Sequence, residues 1–294
     1  MSPPPEFPQA RRRGAVAADT LHQRRRTPTA RELAAIPWLS QLTGPECARV
    51  VPEITAGDAL PGDHVCRIGR PVTYWFGVVE GLLKMNSETA QGQTMTFAGL
   101  PAGGWFGEGT VLKREPYRYN VQALRASTVA GLPVDSFHWL LDHSLAFNRF
   151  IMNQLNERLA QFIAAREIDR LADPDLRVAR SLAALFNPVL YPGVGQVLRI
   201  TQQELAYLVG LSRQRVNEAL AALQAAGLIR TEYGGLRVLD LPGLRTLPSA
   251  RPAAGPSGAT DHPGADADAC AAGAGRVCSF SPGQQPGPAG PPQR

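Results

Sequence analysis

The segment from Thr201 to Leu220, TQQELAYLVGLSRQRVNEAL, constrains the fold of this chain more than any other. Thr201 followed three residues later by Glu204 is a capping box, which predicts the start of a helix. Gly210 then interrupts the apolar pattern, and Ser212 is a suitable cap for a second helix. The residues whose size and spacing would let two helices cross closely through a short turn are Ala206, Gly210 and Val216. The segment therefore predicts a helix-turn-helix.

The second helix of this motif presents a polar, basic face: Ser212, Arg213, Gln214, Arg215 and Asn217. Such side chains donate to phosphates or read base edges in a major groove. An ordinary helical hairpin with a solvated face is the alternative. Residues 228–239 favour DNA binding, because two short strands joined at Gly234-Gly235 would make the motif winged.

The distribution of charge also favours a nucleic-acid partner. The net charge of the chain is +5. Residues 1–31 hold seven arginines against two carboxylates, and residues 199–251 hold seven against four. Positive charge therefore collects on one tail and on the helix-turn-helix.

No apolar run approaches the ~18 residues of a membrane span, and no apolar core follows the N-terminal arginines. We therefore expect a soluble cytoplasmic protein without a membrane partner. The cysteines, at positions 47, 66, 270 and 278, lack zinc-site spacing, so reduced thiols and no metal site are expected.

The rest of the chain divides by composition. Residues 1–28 and 248–294 are rich in proline with arginine, glycine or alanine, and we predict that both tails are disordered. Residues 29–54 show a helical pattern. Residues 55–134 alternate short apolar segments with glycine turns, which indicates a small antiparallel barrel or jelly roll.

A long helical pattern follows, from Val134 to about Leu171. Four apolar residues in it are spaced by three, four and three positions, as in a coiled-coil seam: Met152, Leu155, Leu159 and Phe162. A dimer interface and packing against the helix's own barrel are both compatible with it.

The predicted fold class is α+β, in three folded parts. Residues 29–143 form an N-terminal antiparallel β-barrel or jelly roll, residues 144–172 a dimerisation helix, and residues 173–247 a winged helix-turn-helix domain that includes a helix at 175–185.

This order of parts resembles the cyclic AMP receptor/FNR (Crp/Fnr) superfamily of bacterial transcription regulators over residues 33–247. Residues 201–220 look like its DNA-reading unit, and GGWFGE at 103–108 with Arg118 looks like its cyclic-nucleotide cassette. The resemblance implies that Glu108 would bind a ribose hydroxyl and Arg118 a cyclic phosphate. Gly107, Tyr119 and Phe162 complete the candidate effector site.

The cassette departs from the family pattern. Tyr119 stands where serine or threonine usually follows the arginine, and Phe162 and Ile163 stand where hydroxyl residues meet adenine. We therefore expect an effector other than cyclic AMP bound in the usual way. A structural salt bridge between Glu108 and Arg118 is the alternative.

The oxygen-sensing branch of the superfamily ligates an iron–sulfur cluster through grouped N-terminal cysteines, which this sequence lacks, so no such cluster is expected. A haem would need a well-placed histidine, for which His64, His138 and His143 are candidates, but isolated surface histidines are the preferred interpretation. The resemblance also implies RNA polymerase as a partner, through the 188–198 loop.

At the DNA, the resemblance implies that Arg213 contacts guanine. Gln214 would favour adenine, and Glu218 cannot read guanine. Candidate phosphate contacts are Arg199, Thr201, Gln203, Ser212 and Arg215. A dimer would read a near-palindromic operator, with helices about 34 Å apart.

We therefore predict a homodimeric, sequence-specific transcription regulator and not an enzyme, since no nucleophile–base pair or metal cluster is apparent. The alternatives are an effector-independent orphan regulator and a ligand-binding module with a vestigial DNA domain.

Overall fold

The computed structural model describes residues 24–88, 94–168, 170–171 and 173–248. The predicted disordered tails therefore lie outside the described residues, apart from 24–28 and 248.

Residues 24–28 contradict the predicted disorder. The backbone of Arg26 exchanges two hydrogen bonds of 2.9 Å with Ala56, and its guanidinium lies 2.6 Å from Glu32 and 3.3 Å from Asp58. The hydrogen bond from Arg26 holds the pKa of Glu32 at about 2, below its ordinary value. Composition alone did not indicate that the arginines at positions 24–26 have partners in the folded chain, where Arg24 pairs with Asp63 and Arg25 donates to the Tyr74 hydroxyl.

Two short helices, α1 (Ala30–Ala34) and α2 (Gly44–Val50), precede the strands, as the pattern of residues 29–54 predicts. Each begins at a capping box. A threonine side chain accepts from the backbone N–H three residues later, and the glutamate there accepts from the threonine N–H.

Eight strands form two antiparallel sheets whose apolar faces share one core. The sheets have the orders β1-β8-β3-β6 and β2-β7-β4-β5. The strands are β1 (Thr55–Ala59), β2 (His64–Cys66), β3 (Tyr74–Glu80), β4 (Leu82–Glu88), β5 (Thr94–Pro101), β6 (Trp105–Phe106), β7 (Asn120–Ala123) and β8 (Ser127–Pro133). We call this unit the β-roll. It confirms the predicted jelly roll.

The β3–β4 turn shows why a glycine is needed there. Gly81 has a φ of 113°, which side chains rarely adopt. A Cβ at this position would lie 2.1 Å from the Ser127 hydroxyl, which accepts a hydrogen bond from the Leu82 N–H at 3.2 Å. The turn is therefore closed by a side chain from β8.

Three further helices belong to this half of the chain: α3 (Glu108–Lys113), α4 (Val134–His143) and the long α5 (Leu145–Ile168). A cluster of aromatic rings packs α5 and the N-terminal segment against the β-roll. Trp38 lies 5.7 Å from Trp75, 5.2 Å from Trp105 and 5.5 Å from Phe147, measured between ring centroids. Trp38 and Trp75 are fully buried.

The predicted seam on α5 divides between two faces. Leu155 and Phe162 pack against the β-roll, whereas Met152 and Leu159 are both 61% exposed. Packing against the helix's own β-roll, one of the two alternatives, is therefore observed for Leu155 and Phe162, and the dimer interface stays a prediction for Met152 and Leu159. Ile163, 57% exposed, completes the outward stripe with Met152 and Leu159.

The C-terminal part is a winged helix-turn-helix, as predicted. Its strands form a three-stranded sheet in the order β10-β11-β9. The elements are α6 (Pro174–Ala184), β9 (Val197–Leu198), α7 (Gln202–Val209), α8 (Arg213–Ala225), β10 (Ile229–Glu232), β11 (Gly235–Val238) and α9 (Leu241–Thr246). Among the described residues, no helix is long and apolar enough to cross a membrane.

Trp38→Ala is expected to lower the free energy of unfolding by about 3–5 kcal/mol, because it empties the centre of the aromatic cluster. Urea unfolding followed by circular dichroism measures it. Trp139→Ala is the matched control. Trp139 is only half-buried, so about 1 kcal/mol is expected. Equal losses in the two variants would contradict the central position of Trp38.

Candidate DNA interface and effector pocket

The first helix of the motif, α7, begins at the predicted capping box. The Thr201 side chain accepts from the Glu204 N–H at 3.1 Å, and the Glu204 carboxylate accepts from the Thr201 N–H at 2.7 Å. Thr201 and Gln203 are exposed beside this helix start. Two candidate phosphate contacts therefore lie next to backbone N–H groups at the positive end of a helix dipole.

The turn between α7 and α8 depends on the backbone conformation of Gly210. Its φ is 67°, and a Cβ there would meet nothing within 4 Å. Gly210 therefore permits the short turn between the helices through its left-handed backbone and not by leaving room for a neighbouring helix. Ala206, 3% exposed, is the small residue that packs between the helices.

The second helix, α8, presents the predicted reading face. Ser212 caps it by accepting from the Arg215 N–H at 3.2 Å. Arg213, Gln214 and Asn217 are exposed. Within the described residues, no ion pair includes Arg213. Its guanidinium is therefore available to a base edge.

Other side chains of this face have partners within the motif. The Gln214 amide donates to Glu218 at 3.2 Å, and the Gln202 amide donates to Asn217 at 2.7 Å. These bonds join exposed groups, so they restrict rotamers without removing the side chains from solvent.

Arg215, which was predicted to contact a DNA phosphate, has partners within the protein. Its guanidinium donates to Asp175 at the start of α6 at 2.5 Å and to Glu218 at 3.4 Å, and about 31% of its side chain is exposed. Two carboxylates therefore hold the predicted phosphate contact within its own domain. The phosphate contact at Arg215 stays a prediction, and its ion pair with Asp175 also links α8 to α6.

Arg125, in the β7–β8 turn, was missed by the sequence analysis. Its Nε lies 2.9 Å from the Glu204 carboxylate, and the same guanidinium donates to the backbone carbonyl of Arg199. The Arg199 side chain remains exposed. Arg125 thus joins the β-roll to the helix start that carries the candidate phosphate contacts.

A second contact between the β-roll and α7 involves Tyr207. The Thr96 hydroxyl donates to the Tyr207 carbonyl at 3.1 Å. The Lys84 ammonium lies 5.6 Å from the centroid of the Tyr207 ring, within the range of a cation–π interaction.

The candidate effector pocket is a cavity of about 270 Å³ between α3 and α5. Gly107 precedes α3 with a φ of 85° and leaves its Cα open toward the cavity. The predicted effector residues all line it: Gly107, Glu108, Arg118, Tyr119 and Phe162. The structure therefore brings together residues from the cassette and from α5.

The charged centre of this pocket is a buried pair between Glu108 and Arg158. The Arg158 Nε lies 3.3 Å from the Glu108 carboxylate, and another guanidinium nitrogen donates to the Trp105 carbonyl at 2.7 Å. Burial alone would lower the pKa of Arg158, but Glu108 and Tyr191 raise it above its ordinary value. Arg158 is therefore a charged partner for Glu108.

The alternative salt bridge between Glu108 and Arg118 is wrong. Arg118 pairs with Glu115 at 2.8 Å, and 76% of its side chain is exposed. The cassette arginine thus lies at the pocket rim with a surface partner, while α5 supplies the internal cation.

Tyr119 occupies the space next to Gly107. A Cβ on Gly107 would lie 3.6 Å from the Tyr119 hydroxyl. Burial, followed by the nearby Glu108 carboxylate, raises the pKa of Tyr119, so the phenol remains neutral. Phe162 borders the same cavity, whereas Ile163 is exposed on the outward stripe.

The sequence contained one signal for Arg158. It lies four residues before Phe162 and seven after Ile151, on the face of α5 that packs inward. A single arginine on such a face requires a buried counter-charge. No comparable local signal existed for Arg125, because its partner lies 79 residues away.

The residues that could ligate a metal are dispersed. Among the described residues, no group of three or more His, Cys, Asp or Glu side chains is arranged for an ion. The His138 ring lies 3.1 Å from the Val111 carbonyl, and the His143 ring stacks on Trp139. Burial raises the pKa of the Cys66 thiol to about 12. Cys270 and Cys278 lie outside the described residues.

Both halves of the chain match known families. Residues 58–144 match the cyclic nucleotide-binding domain, and residues 176–247 match the Crp-like helix-turn-helix domain.

Two relatives match this chain over most of their own length. The transcriptional regulator SdrP of Thermus thermophilus is 32% identical over 180 residues, which cover 60% of this chain and 84% of the relative. The cyclic-AMP-activated global regulator CRP of Haemophilus influenzae is 26% identical over 167 residues, 55% of this chain and 73% of the relative. The structure of FixK2 from Bradyrhizobium japonicum shares the fold, with a TM-score of 0.54 at 15% identity over 68% of this chain and 99% of that one. Together these matches show that the chain belongs to the Crp/Fnr family of DNA-binding transcription regulators.

Proposed function

We propose that this regulator binds a near-palindromic operator as a homodimer, reading bases with the N-terminal part of α8. The observation that carries the proposal is the exposed Arg213 on a capped helix of a winged helix-turn-helix. Its DNA partner implies that the protein acts in the cytoplasm.

Base reading is assigned to two side chains. Arg213 suits the O6 and N7 acceptors of guanine, and the Gln214 amide suits adenine. Glu218, one turn further along α8, has no donor for guanine and pairs with Gln214. We therefore expect a half-site sequence that differs from the one read by family members with an arginine at the position of Glu218. Arg199, Thr201, Gln203 and Ser212 are the proposed phosphate contacts.

The outward stripe of α5 is the proposed dimer interface. Met152, Leu159 and Ile163 expose apolar side chains along one line of the helix, and water contact with such a stripe is unfavourable. A second copy of the same helix would cover it and would place two reading helices about 34 Å apart.

The 188–198 loop is the proposed contact for RNA polymerase. Leu190 and Tyr191 are buried anchors, whereas Pro192, Gly193 and Gly195 are exposed between the anchors and β9. The loop thus offers a fixed, solvent-facing surface beside the DNA-reading domain.

The effector proposed for the small pocket is a ligand that does not rely on the usual phosphate contacts. Arg118 is engaged with Glu115, and Tyr119 crowds the Gly107 surface. Glu108 and Arg158 could exchange hydrogen bonds with a polar ligand, and the rings of Tyr119 and Phe162 could stack on a planar one. The same observations favour a second candidate, an orphan regulator controlled by its own abundance.

Arg213→Ala is expected to weaken operator binding by about 1–3 kcal/mol and to relax selectivity at its guanine, because a bidentate contact is lost. An operator is first selected from random DNA with the parent protein. Fluorescence anisotropy with this operator and with its single-base variants then measures both effects. Arg31→Ala removes the same charge at an exposed site outside the motif and serves as control. Unchanged affinity and selectivity in Arg213→Ala would contradict the proposed register of α8.

Leu159→Asp combined with Ile163→Asp is expected to raise the dimer dissociation constant at least about a hundredfold, because charges would enter an apolar interface. Sedimentation velocity measures the change. Asn153→Asp, also exposed on α5 but off the stripe, should leave the dimer intact. A double variant that still sediments as a dimer would exclude this interface.

Tyr119→Ser is expected to increase affinity for cyclic AMP at least about tenfold over a weakly binding parent, because it opens the space beside Gly107 and supplies a hydroxyl donor. Calorimetric titration with cyclic AMP and cyclic GMP measures binding. Tyr233→Ser, at the exposed wing tip, is the control. Tight binding by the parent that Tyr119→Ser abolishes would instead show that Tyr119 recognises the nucleotide.

A further inference from the structure

A second, larger cavity lies on another side of α5. Its volume is about 760 Å³, within the range of small-molecule sites. It opens between β5, the C-terminal half of α5, α6 and α7. It is therefore bordered by both the β-roll and the helix-turn-helix, and none of the residues that line the effector pocket lines it.

Three arginines give this cleft its charge: Arg177 and Arg180 on α6, and Arg245 on α9. Arg177 and Arg180 are half-buried, and Arg245 is exposed at the rim. In the described part of the chain, none of the three is ion-paired with a carboxylate. Arg177 donates to the Leu171 carbonyl at 3.1 Å, and Arg180 donates to the Leu247 carbonyl at 3.5 Å.

One polar atom at the cleft lacks a partner. The Arg177 Nε is buried and forms no hydrogen bond among the described residues. A buried donor without a partner is unfavourable, and an acceptor from a ligand in the cleft could satisfy it.

In the part of the chain that the structure describes, the two carboxylates that line the cleft, those of Glu157 and Glu167, form no ion pair with its arginines. Glu157 accepts from the Asn187 amide at 3.0 Å, and Glu167 is exposed near the end of α5. They leave the three arginines without a buried counter-charge.

The remaining walls are largely apolar. Phe97 from β5, Ala164 from α5 and Leu208 from α7 contribute carbon surface. A ligand that fits both features needs a compact anionic group for the arginines and an apolar body for these walls.

We propose that this cleft binds an amphipathic organic anion, a carboxylate or phosphate monoester with an apolar body. A second copy of the chain that covers the outward stripe would not fill the cleft. Ala160 and Ala164, which border the cleft, lie on a different side of α5 from that stripe. An occupant would touch β5 and α7 at once, next to the Thr96–Tyr207 bond.

The test uses the full chain and 8-anilinonaphthalene-1-sulfonate, an amphipathic anion whose fluorescence rises on binding. The parent protein is expected to bind the probe saturably. Arg180→Ala combined with Arg245→Ala should weaken binding at least about tenfold, because charge-assisted hydrogen bonds are lost. Arg149→Ala combined with Arg31→Ala removes the same charge from exposed sites outside the cleft and should change nothing.

A second variant tests the position of the probe independently of charge. Ala164→Trp should abolish binding, because its ring would occupy the cleft from an exposed position on α5. Circular dichroism and the thermal midpoint establish that each variant is folded.

Competition defines the ligand chemistry. Decanoate and decyl phosphate should displace the probe, whereas decanol, with the same chain but no charge, should not. The anion that displaces it at the lower concentration distinguishes a carboxylate from a phosphate ligand. Absence of probe binding, equal displacement by decanol, or unchanged binding in the cleft variants would overturn the proposal. Because the assay contains no DNA, its failure is distinguishable from failure of the proposed operator binding.

Discussion

The internal organisation of this regulator depends on one buried guanidinium. Arg158 of α5 contacts Glu108 at the start of α3, the carbonyl of Trp105 in β6 and the Tyr191 hydroxyl of the 188–198 loop. Burying a charge pair costs desolvation energy that packing alone would avoid, so its value lies in fixing geometry. Arg158 lines the candidate effector pocket, belongs to the proposed dimer helix and contacts the proposed polymerase-contacting loop.

A ligand bound in the candidate effector pocket would have a direct physical route to α5. A ligand that competes for Glu108 would leave Arg158 with a changed set of partners, and α5 would respond because the guanidinium is anchored to it. The Tyr191 hydroxyl, which also accepts from Gln161 at 2.9 Å, would be affected in the same event. Coupling of this kind requires only that the ligand interact differently with two arrangements of these contacts.

The sequence predicted most of the fold because its signals are local. Thr201 with Glu204, Gly210 and the Gly234 turn each act within a few residues, and the structure has helices and a hairpin at those positions. It failed where partners are distant. Arg125 and Arg158 were given no role and Arg215 was predicted to contact a phosphate, yet each binds a carboxylate at least 40 residues away. The seam of α5 was compatible with a dimer interface and with packing on the barrel, and periodicity alone could not say which of its positions the barrel covers.

Glu204 makes two contacts that can be lost independently of each other. Its carboxylate accepts from Thr201 within α7 and pairs with Arg125 across the domain boundary. If the boundary opens, the second partner is lost but the first remains, so the start of α7 stays capped. Loss of the Arg125 pair alone would therefore leave the first turn of α7 intact, because its cap is built from Thr201 and Glu204 at the start of α7 itself.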